Sequence, residues 1–328
     1  MSERVFVDSA WNSKPHACYD PHADKFFEAE RLTDLGNYEE IYLDSLLFPG
    51  IWSELRELIV NGCRVYHFTR SWRWKELRRR FKDDLRKRFK NVKKSDYGDA
   101  YILWKVYQVG ILKGNAHKWF KRVTVIDVEL KPFLMLEGMC DRWLRRTRQY
   151  ATLGVDVAVD LELFEDRVED LRRIIVAKAR EVWPRFMEVA AKLGLDEDDL
   201  GGLTGLAGTI TYLGWPLMKP SMHKAVHYFG LYRPSREDRL KFMQRVGKKF
   251  QRRYSGSARR YLNMLATAML VKKRRYLPRA RNEVEILRKL INTLKELESA
   301  GSRRGESRTT PRFNTFMPRR ALRVRSGT

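Results

Sequence analysis

The chain has 328 residues, 43% of them hydrophobic and 12% aromatic, which is enough apolar material for more than one core and excludes a wholly disordered polypeptide. Its 66 Lys and Arg against 41 Asp and Glu give a net charge of +25, a balance that favours a polyanionic partner, nucleic acid ahead of an acidic membrane face. Cys18, Cys63 and Cys140 lie far apart with no CxxC pair, which argues against a disulfide framework or a cysteine zinc site and suits a reducing compartment, the cytoplasm.

The first residues, "MSERVFVDSA", lack the basic and then apolar pattern of a signal peptide. "RVFVDSA" and "PHACYD" read as short strands separated by turn-forming residues. "EEIYLDS", "FPGIWSELRELIVNG" and "CRVYHFT" then read as strand, helix and strand, with Pro49 and Gly50 opening the helix and Gly62 closing it. This is α/β order.

From Arg70 to Lys94 there are 13 basic and 3 acidic residues. Arg70, Arg73, Lys75, Arg78, Arg79, Lys93 and Lys94 are candidate phosphate contacts, interleaved with Trp72, Trp74, Phe81 and Phe89 that could stack on unpaired bases. An amphipathic helix with its aromatics on the core explains the same pattern. "KKSDYGDA" follows and opens an apolar helix from Ala100 to about Gly110.

Residues 126–200 read as a helical arm or coiled coil, with a long amphipathic stretch from Leu161 to Leu193. Leu200 to Met218 carries no charge, but five glycines and Pro216 mark it as a turn-rich segment and not a membrane span. "SARRYLNMLATAMLVKKRRY" returns to helix, and a last charged helix lies near Glu283 to Glu298. Arg233 to Arg279 holds 16 basic and 2 acidic residues; Lys248, Lys249, Arg252, Arg253, Arg259 and Arg260 are its candidate nucleic-acid contacts. The tail 301–328 lacks apolar periodicity and is expected to be disordered until bound. A charged fraction of 33% suits a thermophile.

Four carboxylates stand out. Asp8 ends the first strand, Asp44 ends the strand "EEIYLD", and Asp96 and Asp99 share a face at the head of a helix. Acidic groups gathered from separate elements are a usual way to hold Mg²⁺, and two such ions about 4 Å apart clamp the attacking and leaving oxygens of a phosphodiester. Asp96 as a helix N-cap with Asp99 supporting the dipole is the competing explanation. "HKAVH" sets His223 and His227 at i and i+4, a zinc-compatible spacing that lacks a third ligand.

These elements resemble the DEDD transposases of insertion sequences, the IS-one-ten group, whose N-terminal domain has a RuvC-like, RNase H-type fold. That family places an Asp in the first strand, a Glu ending a later strand before a helix, and a K-[ST]-D-x-x-D-A signature opening another helix. "RVFVDSA" supplies Asp8, "KKSDYGDA" supplies Asp96 and Asp99, and Asp44 stands where the family has its glutamate. In the second half, "GLTGLAGTIT", "YFGLYRPS" and "RRYSGSARRYLNML" resemble the family's glycine hairpin, its G-L-x-P motif with a following serine, and its basic segment leading into a helix.

The resemblance implies a RuvC-like catalytic domain over 1–125, a helical arm over 126–200, a mostly helical transposase domain over 201–300 with Gly205 in a phosphate-binding hairpin, and a basic tail. It implies that Asp8, Asp44, Asp96 and Asp99 hold Mg²⁺ and that a serine attacks DNA. Ser235 is the first candidate and Ser255 the alternative; Ser235 also suits a helix N-cap ahead of "REDRL". Donor and target DNA, a structured non-coding RNA that selects sequence by pairing, and a homo-oligomer acting on several strands complete the expectation for a prokaryotic mobile element. A metal-dependent nuclease that uses water, such as a resolvase of branched DNA, is one alternative, and a non-catalytic nucleic-acid-binding protein is the other.

Overall fold

Val5, Phe6 and Val7 are all fully buried, so the strand that carries them is covered on both faces. The computed structural model describes residues 3–10, 14–46, 49–69, 73–89, 96–116, 119–215, 220–232, 235–246, 254–273 and 279–303. Its strands are β1 (Arg4–Asp8), β2 (His16–Asp20), β3 (Lys25–Ala29), β4 (Glu40–Leu43), β5 (Arg64–Phe68) and β6 (Phe120–Arg122). They form one mixed sheet in the order β3-β2-β1-β4-β5-β6. β1 pairs antiparallel with β2, as β2 does with β3, while β1, β4 and β5 run parallel; β6 closes the far edge antiparallel to β5.

The connections follow from this topology. Parallel neighbours need a crossover, and α1 (Trp52–Val60) supplies one between β4 and β5. Pro49 lies in the short 3-10 turn Pro49–Ile51 that leads into α1, and Gly62, at φ +98°, ends it. Successive side chains of a strand point to opposite faces. Val5, Val7, Ile41, Leu43 and Val65 therefore pack with α1, whereas Phe6, Tyr42 and Phe68 pack with α2 (Trp74–Arg80), α3 (Lys82–Arg88) and α4 (Asp96–Leu112). The second face is aromatic: Phe6 stacks on Tyr42 at 4.9 Å and Tyr42 on Tyr66 at 4.8 Å. Trp74, Phe81 and Phe89 belong to this packing, so these three aromatics of the basic stretch face the sheet, while Trp72 lies outside the described residues.

α5 (Val125–Thr152) opens on a capping box in which Thr124 and Asp127 exchange bonds, and it is followed by α6 (Ala158–Val182). Ion pairs join Lys178 to Glu129, Arg172 to Glu137 and Arg148 to Glu165. Partner numbers fall along one helix as they rise along the other, so the two run antiparallel. The base of this hairpin is no free arm. Leu130, Leu134, Ile175, Val176 and Ala179 share one core with residues of α7 (Phe186–Leu193), α8 (Leu200–Leu213), α9 (Met222–Tyr228), α11 (Gly256–Lys273) and α12 (Arg279–Arg303). Tyr150, Leu153, Val159 and Leu163 at the far end are exposed, as are Leu136, Met139 and Trp143 on the outer side of α5. α10 (Arg236–Val246) precedes α11. Among the described residues, no helix is long and apolar enough to cross a membrane.

The expected glycine hairpin is not there: residues 200–213 form a continuous helix, α8, capped by the Asp199 side chain. Its glycines serve close packing instead. A Cβ at Gly205 would lie 2.4 Å from the backbone nitrogen of Leu265, and one at Gly208 would lie 2.3 Å from the Tyr261 ring. α8 and α11 thus meet backbone to backbone, which leaves the Gly205 amide inside a helix and not in a phosphate nest. The expected tail 301–328 lies outside the described residues except for 301–303, which finish α12.

Candidate metal centre

Asp8 is the last residue of β1 and lies in phase with Phe6, so it projects on the α4 face of the sheet. Asp44 comes straight after β4, the parallel neighbour. Val7 is in register with Leu43, and the Asp44 amide donates to the Val7 carbonyl at 3.1 Å. Two aspartates thus leave adjacent central strands at the same C-terminal end. α4 covers that face and begins at Asp96, which sets Asp96 and Asp99 in its first turn, where carboxylates favour the helix dipole.

The surroundings of each carboxylate differ. Both the amide and the hydroxyl of Ser9 donate to Asp44 Oδ1, at 2.9 and 2.5 Å. Burial nevertheless holds the Asp44 carboxyl above the usual range; the Ser9 bonds oppose this, and the negative charge of Asp99 adds to it. Asp99 is buried and accepts a forked pair of bonds from Arg78 of α2, Nε to Oδ1 at 2.9 Å and Nη2 to Oδ2. Asp96 is exposed. Arg78 is held above its ordinary value first by the bond to Asp99, then, against the cost of its own burial, by the charges of Asp99, Asp8 and Asp96.

One guanidinium therefore sits in the field of three of the four aspartates, and the fourth feels Asp99. Neither a family model nor a curated protein sequence matches this chain. The site must be read from its own chemistry.

As donors the carboxylates suit a hard divalent cation. Among the described residues, no group of three or more His, Cys, Asp or Glu side chains closes around a common point in metal-ligand geometry. Both oxygens of Asp99 are taken by Arg78. The donor set fits Mg²⁺ in kind, with Asp8, Asp44, Asp96 and Asp99 as the residues that would hold it once Arg78 has withdrawn.

The expected basic contacts divide into groups. Lys75 and Arg79 are exposed on α2. Arg73 pairs with Glu76 and lies over the Trp119 ring. Arg78, Arg259 and Arg260 are engaged inside the protein: Arg259 with Glu283 and the carbonyls of Phe229 and Gly230, Arg260 with Glu137 and Asp141. Their carboxylate partners come from elements distant in sequence, which is why charge counting along the chain reads them as surface. Arg70, Lys93, Lys94, Lys248, Lys249, Arg252 and Arg253 lie outside the described residues.

Of the two serines, Ser235 directly precedes α10, and its carbonyl accepts the Arg239 amide at 3.2 Å. The Ser255 hydroxyl accepts the Ala258 amide at 3.1 Å, capping α11, and the Ser255 and Tyr228 hydroxyls hydrogen-bond one another. His223 and His227 place their Nε2 atoms 3.3 Å apart, with His227 stacked on Tyr232 at 4.0 Å. Sequence reasoning missed Ser9 as a support of Asp44 and Arg78 as a member of the carboxylate cluster. The serine following "VFVD" was a weak local signal for the first; nothing local signalled the second.

Proposed function

We propose that the chain is a DNA transposase or recombinase of the mobile-element type, whose sheet domain is an RNase H-like, RuvC-like unit and whose carboxylates Asp8, Asp44, Asp96 and Asp99 hold Mg²⁺, with two ions as the working complement. The observation that carries this reading is the gathering of four aspartates, from the ends of the central strands β1 and β4 and the first turn of α4. Bound there, the metal would supply Lewis-acid stabilisation of charge on the phosphate oxygens. The strand order, with an antiparallel β1-β2-β3 hairpin set beside parallel β1, β4 and β5, is compatible with the proposed fold.

In this reading a serine hydroxyl, that of Ser235 first, attacks a DNA phosphorus. Its proton passes to a base, and the displaced deoxyribose oxygen leaves as a hydroxyl, giving a covalent protein–DNA link that a second strand resolves. Lys75 and Arg79, both exposed on α2, would steady the phosphate backbone. A structured non-coding RNA would choose donor and target by pairing, and several copies of the chain would act together; both belong to the family resemblance and not to the geometry.

A metal-dependent nuclease that uses water is the second reading, favoured by the commitment of the Ser255 hydroxyl to capping α11. Trapping on denaturing gels separates the two. A transposase yields a protein–DNA adduct whose mapped serine is Ser235, lost in Ser235→Ala with binding retained. A hydrolase yields cleaved DNA and no adduct. A non-catalytic binder gives neither product, and Asp96→Asn and Asp99→Asn leave its binding unchanged.

A further inference from the structure

Arg78 is the cation bonded to the carboxylate cluster at Asp99. Asp99 is 5% exposed, and a carboxylate that deep needs a cation or strong donors to stay ionised. Arg78 supplies one charge through its fork, and the same charge serves Asp8 and Asp96. Asp44 accepts from the Ser9 amide and hydroxyl and from the Ser45 backbone.

Arg78 is also able to leave. Its side chain is 35% exposed, its guanidinium lies 5.8 Å from the Trp74 ring centroid, and it comes from the seven-residue α2, a different element from those that carry the aspartates. Lys75, Arg78 and Arg79 stand at i, i+3 and i+4, so they share one face of α2. A guanidinium swung away from Asp99 therefore joins two exposed cations on a surface suited to a phosphate backbone, with five donors in a planar fork.

We propose that Arg78 is an exchangeable counter-cation, holding Asp99 while metal is absent and passing to a nucleic-acid phosphate as a divalent cation takes its place. This rests on the metal-dependent reading above. The consequence is a coupling: metal and nucleic acid each draw Arg78 the same way, so each tightens the other, and by linkage by the same factor.

Titration calorimetry of the full chain with Mg²⁺ alone, at about 0.1 M salt to keep screening fixed, tests the exchange. Arg78→Gln removes the competitor and is expected to bind Mg²⁺ about tenfold tighter than wild type, a coupling of ordinary size. Arg78→Lys retains charge but cannot fork and is expected to fall between; it also serves as the readout if the glutamine variant does not fold. Asp99→Asn is the control and abolishes binding in both backgrounds. Mg²⁺ binding that depends on Asp99 but is equal or weaker in Arg78→Gln and Arg78→Lys overturns the exchange and leaves the metal site standing. Mg²⁺ binding indifferent to Asp99→Asn, or no binding in any variant, overturns the metal site and the exchange with it.

Discussion

Glu137 of α5 is fully buried, and Arg260 of α11 reaches it with a forked guanidinium, Nη2 to Oε1 at 2.6 Å and Nη1 to Oε2. Arg172 donates to the same carboxylate at 3.1 Å, and the Tyr261 hydroxyl shares its one proton between Glu137 at 2.8 Å and the Leu134 carbonyl at 2.5 Å. The network fastens the base of the α5–α6 hairpin to the rest of the helical unit. Removing Arg260 leaves the fully buried Glu137 with Arg172 as its remaining cation, at a cost approaching the roughly 3–5 kcal/mol of a broken buried pair. Arg260→Ala is accordingly expected to lower the denaturant midpoint strongly, whereas replacing Glu137 and Arg260 together by Met costs much less. Equal losses in the single and double variants would contradict the pairing.

Gly205→Ala separates two roles for one residue. Its new Cβ would meet the backbone of Leu265 and, at 3.0 Å, the Tyr261 carbonyl, none of which is a flexible side-chain end. Forced separation of α8 and α11 is expected to cost about 1–3 kcal/mol or more, read as a fall in Tm. A variant of unchanged Tm with weakened nucleic-acid binding would restore a phosphate-contacting glycine.

Lys75→Ala and Arg79→Ala remove exposed charges from α2. Each is expected to weaken nucleic-acid binding evenly across sequences and to reduce the slope of log affinity against log salt by about 1. Stability should stay within about 0.5 kcal/mol. Arg259→Ala, whose guanidinium is spent on Glu283, should show the opposite pattern: a large fall in Tm and, at temperatures where it is folded, an unaltered salt slope. Binding measured against salt, beside melting curves, checks both.

His67, near the end of β5, gives the fold a pH dependence. Burial first, then the charges of Lys131 and Lys121, push its imidazole from 6.5 down to about 3, with Asp127 and a backbone bond opposing. The unfolded chain therefore binds a proton that the folded one refuses between these values. Stability from this group is complete above about pH 6.5 and is lost as pH falls toward 3, at up to roughly 1.4 kcal/mol per unit. Urea titrations across that window should show a slope that His67→Asn removes; an unchanged slope would place the responsible group elsewhere.

Much of the sheet was legible because its strands alternate or run apolar between turn residues. "RVFVD", "HACYD" and "CRVYHF" read directly, and Gly62 marked the end of α1 by its left-handed backbone. β3 and β6 did not, since "KFFEA" is an exposed edge strand without clean alternation and "FKR" is too short for a period. The glycines of α8 misled because glycine punctuates turns in sequence, while here Gly202, Gly205 and Gly208 mark the close approach of α11. At the candidate site, Asp8, Asp44, Asp96 and Asp99 were visible as strand-end and helix-head acids. Arg78 was read as a phosphate contact because its partner lies 21 residues away, and only the packing of α2 across α4 joins them.

The proposed metal centre is tested most directly by a crystal structure of the chain grown with Mn²⁺, with data collected at the manganese edge. An anomalous peak is expected within coordination distance of Asp8, Asp44 and Asp99, with Arg78 turned away toward Lys75 and Arg79. A map with no anomalous density among Asp8, Asp44, Asp96 and Asp99, and with Arg78 still forked onto Asp99 at saturating Mn²⁺, would contradict it.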